Sequence, residues 1–335
     1  MKDKENVERI PKRIVIKTPN WLGDSVMSIP AVRGVKRIFP GAQISILTCK
    51  WLGELWHLIP EVDKVYTSID GKKFDLGITL INSFRSALRM WLSGVPNRMG
   101  YSLNWRGFLL THPVKLPLGW EKMHEAEYFL KIIRGLTDEE LDPMPSIEVS
   151  ADLVQRANIE FLKYEWDGVS PLIGVHATAS YGSAKQWMPE RFSRLMDKLI
   201  EYYKAYVVLV GSPNEKAIAE NIVTAVSKKN KVINVVGKTG IMNLAGIIKA
   251  CRLFIANDSG PMHLAGALGT PVVAIFGSTD PYLTGPCGKV EILRKEIMCS
   301  PCFRRECNLD MECMRMIEVN DVLLAVKKLM VTEKG

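Results

Sequence analysis

Three short stretches carry side chains whose type and spacing could move a proton or hold an anion. The first is Thr18-Pro19-Asn20-Trp21-Leu22-Gly23-Asp24, placed between the β-branched run Arg13–Lys17 and an apolar-periodic stretch from about Asp24 to Phe39. A carboxylate where a strand hands over to a helix can take a proton from a hydroxyl. It could equally cap the helix, a role worth about 0.5–2 kcal/mol. The second stretch is Asn257-Asp258-Ser259-Gly260-Pro261-Met262-His263, between an apolar strand and a helix. Pro261 suits the first helical turn, and Ser259 or Asp258 could cap it. The N–H groups at that helix start, with the macrodipole behind them, make an anion site, and Gly260 lets a phosphate approach the backbone. The plain alternative is a capped helix with His263 on its polar face. The third is Ser180-Tyr181-Gly182-Ser183-Ala184-Lys185-Gln186-Trp187-Met188-Pro189, a loop that delivers one lysine ahead of a helix. Lys185 can neutralise a diphosphate as a point charge, although most loop lysines are merely solvated.

A fourth cluster, Cys299-x2-Cys302-x4-Cys307-x5-Cys313, has four of the seven cysteines. It could hold a tetrahedral zinc, but zinc ribbons carry two tight C-x2-C knuckles and the second pair here is wider. Free thiols or disulfides are the competing states, and the expectation is no metal. Gly237-Lys238-Thr239 resembles the end of a P-loop, but the glycine required earlier is Val232, and no GxGxxG follows the first strand. ATPase and nicotinamide chemistry therefore lack support.

The elements that must position these residues alternate. Strands are expected at Arg13–Lys17, Gln43–Thr48, Val62–Tyr66, Leu76–Leu80 and within Gly94–Tyr101, with helices near 24–39, 51–59, 83–91 and 121–135. Residues 137–150 are acidic and contain two prolines, which reads as a linker. After a helix near 151–163 the alternation restarts, with strands at Leu172–His176, Tyr206–Gly211, 231–235, 252–256 and 271–276 and a last helix near 319–331. Such alternation implies α/β architecture: two doubly wound parallel sheets facing across a cleft, with ligands at the carboxyl ends of the strands. The expected division is 1–150, a linker helix 151–168, a second domain 169–318, and a C-terminal helix 319–335 returning to the first domain.

The chain has 335 residues, 47% hydrophobic and 24% charged, which fits a globular protein of about two domains. No apolar run approaches the ~18–20 residues of a membrane-spanning helix. The opening MKDKENVERIPKR lacks the apolar core of a signal peptide, so a cytoplasmic location is expected. The net charge of +8 is local: residues 1–120 hold 18 Lys and Arg against 9 Asp and Glu. Within 76–120 stand Arg85, Arg89, Arg98, Arg106 and Lys115 without any acid, which points to an anionic partner more than to solvated helix faces.

Together, NWLGDSVMSIPAVRGVK, NSFRSALRMWLSGVPNRMGY, YGSAKQWMPERF, NDSGPMHLAGALGTPVVAIFGSTDP and CSPCFRREC resemble the ADP-heptose–lipopolysaccharide heptosyltransferases (glycosyltransferase family 9), type II in particular. The resemblance runs from about residue 13 to 330 and implies a GT-B fold and inverting, metal-independent transfer of heptose from ADP-heptose to the lipopolysaccharide inner core, with no cofactor. It implies Asp24 as general base, Lys185 on the donor phosphates, and Ser259, Gly260 and His263 around the diphosphate and sugar. Asp258 would anchor that loop and Ser180 would touch a phosphate. Asn20, Arg85, Arg98 and Arg106 are the expected acceptor contacts, with the basic face able to meet the inner membrane peripherally. One departure stands out: the family often has an acid facing the adenosine ribose where this chain has Met242, and Asn243 could substitute. The competing readings are a GT-B transferase with another sugar or acceptor, and a nucleic-acid-binding protein with a zinc-bound cysteine cluster.

Overall fold

A computed structural model describes residues 10–137 and 139–331. The chain forms two compact units, 1–145 and 146–335. The first holds a six-stranded parallel sheet in the order β3-β2-β1-β4-β5-β6. Its strands are β1 Arg13–Lys17, β2 Gln43–Leu47, β3 Lys64–Tyr66, β4 Leu76–Thr79, β5 Asn97–Tyr101 and β6 His112–Val114. The second unit repeats the topology as β12-β11-β10-β7-β8-β9. There the strands are β7 Leu172–His176, β8 Tyr206–Leu209, β9 Val232–Asn234, β10 Leu253–Asn257, β11 Val272–Ile275 and β12 Val290–Leu293. Central strands such as β1, β7 and β10 are near-continuous apolar runs because helices cover both faces of a parallel sheet.

The order in each sheet reverses at its middle, between β1 and β4 and between β7 and β10. At such a switch point the loops leaving two adjacent strands turn to opposite faces and open a crevice at the carboxyl ends. The stretches carrying Asp24, Lys185 and Asp258 leave β1, β7 and β10 at those ends.

Several elements depart from the sequence expectation for identifiable reasons. The helix expected over 24–39 is two helices, Leu22–Met27 and Ile29–Ile38, interrupted at Ser28. Pro30 has no N–H to continue the ladder, and the Ser28 hydroxyl donates to the Ser25 carbonyl instead. Edge strands β6 and β12 are only three and four residues long and partly buried, so they lack the apolar signature of the centre. The helix Ala151–Leu162, expected as a linker, belongs to the second unit: a Cβ on Gly246 of the helix Ile241–Ala250 would sit 2.8 Å from its Leu153 carbonyl. The last helix, Val319–Val331, places Val322, Ala325, Val326 and Leu329 in the core of the second unit.

Candidate functional site

In the first unit, Asp24 lies in the first turn of Leu22–Met27 and is half-buried. The N-cap is Trp21, so Asp24 is a first-turn acid and not the N-cap residue. Lys17, the last residue of β1, donates to the Thr18 carbonyl and to Asn20 Oδ1, both at 3.0 Å. Burial depresses the Lys17 pKa below the ordinary lysine value. Sequence reasoning passed over Lys17, although a lysine closing an apolar strand was a visible signal. It fixes Asn20 and brings positive charge to the carboxyl end of β1.

The three arginines expected to meet an acceptor are not equivalent. Arg85 is exposed on the helix Phe84–Leu92. Arg98 spends its guanidinium on the carbonyls of Leu109, Val95 and Pro96 at 2.6–2.9 Å. Arg106 is 0% exposed and donates to the carbonyls of Tyr101 and Ile81, to Ser86 Oγ and to Asn82 Oδ1. Burial pulls its pKa down to about 10, which still leaves it charged at neutral pH. Arg106 is therefore a buried staple between chain segments rather than an acceptor contact, whereas Arg98 is partly exposed and held by neighbouring backbone carbonyls.

In the second unit, the loops after β7 and β10 meet. Lys185 Nζ stands 2.5 Å from Asp258 Oδ2, with the two residues 9% and 4% exposed. Thr279 donates to the same carboxylate oxygen at 2.6 Å, and His263 Nε2 lies 3.9 Å from the other. The Lys185 ammonium also sits 4.6 Å from the centre of the Tyr181 ring. Ser259 is the N-cap of the helix Gly260–Ala267 and does not cap it with its side chain. Its hydroxyl donates to the Asn257 carbonyl at 2.9 Å and lies 3.0 Å from His176 Nδ1. Asn257 Oδ1 accepts the Trp187 N–H at 3.1 Å, tying the Lys185 loop to β10. A held cation beside a helix N-terminus is a preorganised anion site.

Behind Ser259 is a polar chain that sequence reasoning missed. His176 Nε2 lies 3.5 Å from Glu215 Oε2, and Thr178 donates to Glu215 Oε1. Burial alone would raise the Glu215 pKa. The hydrogen bond and charge of His176, with Thr178 and the Ser212 N–H, outweigh it and hold the carboxyl at about 2. The visible signal was a His-x-Thr ending on an apolar strand; its partner lies 37 residues beyond Thr178. His263, the residue placed on a polar face by the plain reading, is buried.

Ser180 is exposed in the Lys185 loop, which is braced by the cysteine-bearing segment. Ala184 N–H donates to the Arg305 carbonyl at 3.0 Å, and the Tyr181 hydroxyl to that of Phe303 at 3.1 Å. A Cβ on Gly182 would come within 2.1 Å of the Arg305 carbonyl oxygen, so this close approach requires glycine. Cys299, Cys302, Cys307 and Cys313 line a cavity of about 460 Å³ with Ala184 and Ser278. All four are free thiols, and among the described residues no group of three His, Cys, Asp or Glu could hold a metal ion. The four thiols stand close together: besides burial, the neighbouring Cys299, Cys307 and Cys302 raise the Cys313 pKa. Of the five cations that the nucleic-acid reading would use, Arg106 is consumed inside the fold. Met242 and Asn243 occupy the first turn of Ile241–Ala250, half-buried and exposed respectively.

A family model described as glycosyltransferase family 9 (heptosyltransferase) matches residues 62–312. The chain is similar to the lipooligosaccharide heptosyltransferase 2 of Haemophilus ducreyi, 29% identical over 84% of this chain and 88% of that protein. It is equally similar, at 29% identity and the same coverage, to the lipopolysaccharide heptosyltransferase 2 of Escherichia coli. Among solved structures, the ADP-heptose lipopolysaccharide heptosyltransferase II of E. coli matches with a TM-score of 0.82 at 24% identity, over 96% of this chain and all of that one. That likeness bears out the expected GT-B pair of Rossmann-like sheets.

Proposed function

The chain belongs to glycosyltransferase family 9 and is a glycosyltransferase; from that premise we propose that it moves heptose from ADP-heptose to the lipopolysaccharide inner core. The observation that carries this reading is the Lys185–Asp258 pair at the N-terminus of Gly260–Ala267. As the anomeric carbon–oxygen bond breaks, its electron pair leaves with ADP, and Lys185 with the N–H groups of Ser259 and Gly260 stabilises the charge on the diphosphate. The acceptor hydroxyl oxygen bonds to the anomeric carbon from the opposite face, inverting it, and its proton passes to Asp24. One carboxylate suffices, because the diphosphate leaves without protonation. The charge stabilisation comes from Lys185 and backbone N–H groups, so this reaction calls on no metal. Asp258 orients Lys185, His263 flanks the diphosphate, Ser180 reaches a phosphate oxygen, and Asn243 serves the ribose beside Met242.

The first unit supplies the acceptor contacts through Asn20, fixed by Lys17, and through Arg85. The acceptor is an anionic core glycolipid at the cytoplasmic face of the inner membrane, met peripherally. No helix among the described residues is long and apolar enough to cross a membrane. Transfer from ADP-heptose to core acceptors carrying no heptose or one tests the reading, with product expected on the acceptor that already holds one. Activity only with another nucleotide sugar would replace the donor assignment.

A further inference from the structure

The buried Arg106 has a consequence for its neighbours. Asn104 and Trp105 are consecutive residues in the left-handed region, at φ +53° and +59°. Bulky side chains avoid that region, and a residue held there is over-determined by its surroundings. The restraint is visible: Asn104 Nδ2 donates to the Asn82 carbonyl at 2.8 Å, and the Arg106 guanidinium is drawn inward onto Ile81, Asn82, Ser86 and Tyr101. With Arg106 pinned inside, Trp105 is held outside, 92% exposed. Phe108 is 76% exposed, and its ring lies 6.1 Å from that of Phe84, itself exposed. Backbone strain and a buried guanidinium thus hold the Trp105 ring in solvent.

We propose that Phe84, Trp105 and Phe108, with Arg85 and Lys115, form a surface that docks the first unit on an anionic lipid bilayer. Aromatic rings accompanied by cations are the composition that settles at a membrane interface, the rings among the acyl boundary and the cations at anionic headgroups. Residues 76–120 contain no Asp or Glu, and Arg85 and Lys115 are both exposed. Arg89, one turn from Arg85, faces Asp70 at 3.9 Å, so its charge is already met by a carboxylate. Trp105 projects from a turn, while Phe84 at the start of its helix and Phe108 in a single helical turn form a neighbouring pair of rings.

The position adds a reason for the contact. The segments bearing these residues leave the carboxyl ends of β4, β5 and β6. Asp24 follows the carboxyl end of β1 in the same sheet, whose order is β1-β4-β5-β6. At ~4.8 Å per strand, the outermost of these segments stands about 14 Å from β1. A bilayer held at this edge presents glycolipid headgroups beside the proposed base. That last step rests on the acceptor proposed above; the docking itself does not.

The test is flotation of the full chain with vesicles of phosphatidylethanolamine and phosphatidylglycerol, against vesicles of phosphatidylcholine alone. The wild type is expected to float with the anionic vesicles, less so at high salt. W105S/F108S, with Arg106 untouched, is expected to bind them about tenfold or more weakly, whereas W105Y/F108Y retains most binding. Thermal melting of both variants verifies the fold. Transfer to a lipid-free core oligosaccharide should be unchanged in W105S/F108S, while transfer to vesicle-embedded acceptor falls. Equal flotation of W105S/F108S and wild type overturns the inference, as does a wild type that binds neither vesicle. A dimer that W105S/F108S dissociates, without vesicle binding, overturns it in favour of a second copy. Flotation that depends on the rings in a protein with no heptose transfer leaves the docking standing and removes the function proposed above.

Discussion

Replacing Lys185 by methionine separates two roles that the structure gives this residue. The ammonium lies 2.5 Å from Asp258 in a buried setting, and Asp258 accepts otherwise from Thr279 and faces His263. Removing one member of a buried pair leaves an uncompensated charge, at a cost of about 3–5 kcal/mol. The second unit spans 190 residues, a size at which ~1 kcal/mol shifts Tm by about 2–4 °C. The expected fall for K185M is therefore about 10 °C. The double variant K185M/D258N removes the stranded carboxylate and should recover most of that fall. Donor affinity follows a different rule: a hydrogen bond from a cation to a phosphate is worth about 1.5–3 kcal/mol. ADP should bind about thirtyfold more weakly to K185M, and as weakly to the double variant. Calorimetry with ADP alongside thermal melting reads both effects. ADP affinity that returns with stability in the double variant would assign Lys185 a structural role only, and unchanged affinity in K185M would remove it from the donor site.

Three further outcomes are expected. R106K should lower the stability of the first unit by at least about 3 kcal/mol, because an ammonium cannot serve the separated acceptors that the guanidinium fork reaches. A raised acceptor KM with an unchanged melt would instead restore Arg106 as an acceptor contact. Glu215 is held at about 2 against an ordinary 4.5, so its stabilisation is complete above pH 4.5 and disappears as pH falls towards 2. That window is worth about 3 kcal/mol, and E215Q should flatten the dependence of the urea midpoint on pH between those values; an unaltered acid limb would show that the carboxyl titrates normally. R85E should raise the acceptor KM with little change in kcat or Tm, since Arg85 is exposed; steady-state kinetics with an unmoved KM would exclude Arg85 from acceptor recognition.

What could be read from the residues was what depends on local pattern. The apolar runs of β1, β7 and β10, and the small-residue loops that follow them, carried the α/β architecture and put Asp24, Lys185 and Asp258 at strand ends. Short edge strands such as His112–Val114 were illegible because half-exposed residues need no apolar alternation. Charge type also misled at Arg106: a guanidinium looks the same in sequence whether it awaits a ligand or is consumed by backbone carbonyls. The His176, Thr178 and Glu215 network was invisible for a different reason. Its members come together only when β7 and the segment after β8 lie side by side, a long-range pairing that no local window contains. Pro30 was readable in principle, since a proline inside a helical period predicts the break found at Ser28.

Heptose transfer as proposed above turns on Asp24 as the proton acceptor. The decisive measurement is the single-turnover rate of D24N with ADP-heptose and a one-heptose core acceptor, taken beside ADP affinity. The rate is expected to fall by at least about a thousandfold, some 4 kcal/mol of barrier, with ADP binding unchanged. A D24N enzyme that keeps more than about a tenth of the wild-type rate would contradict it.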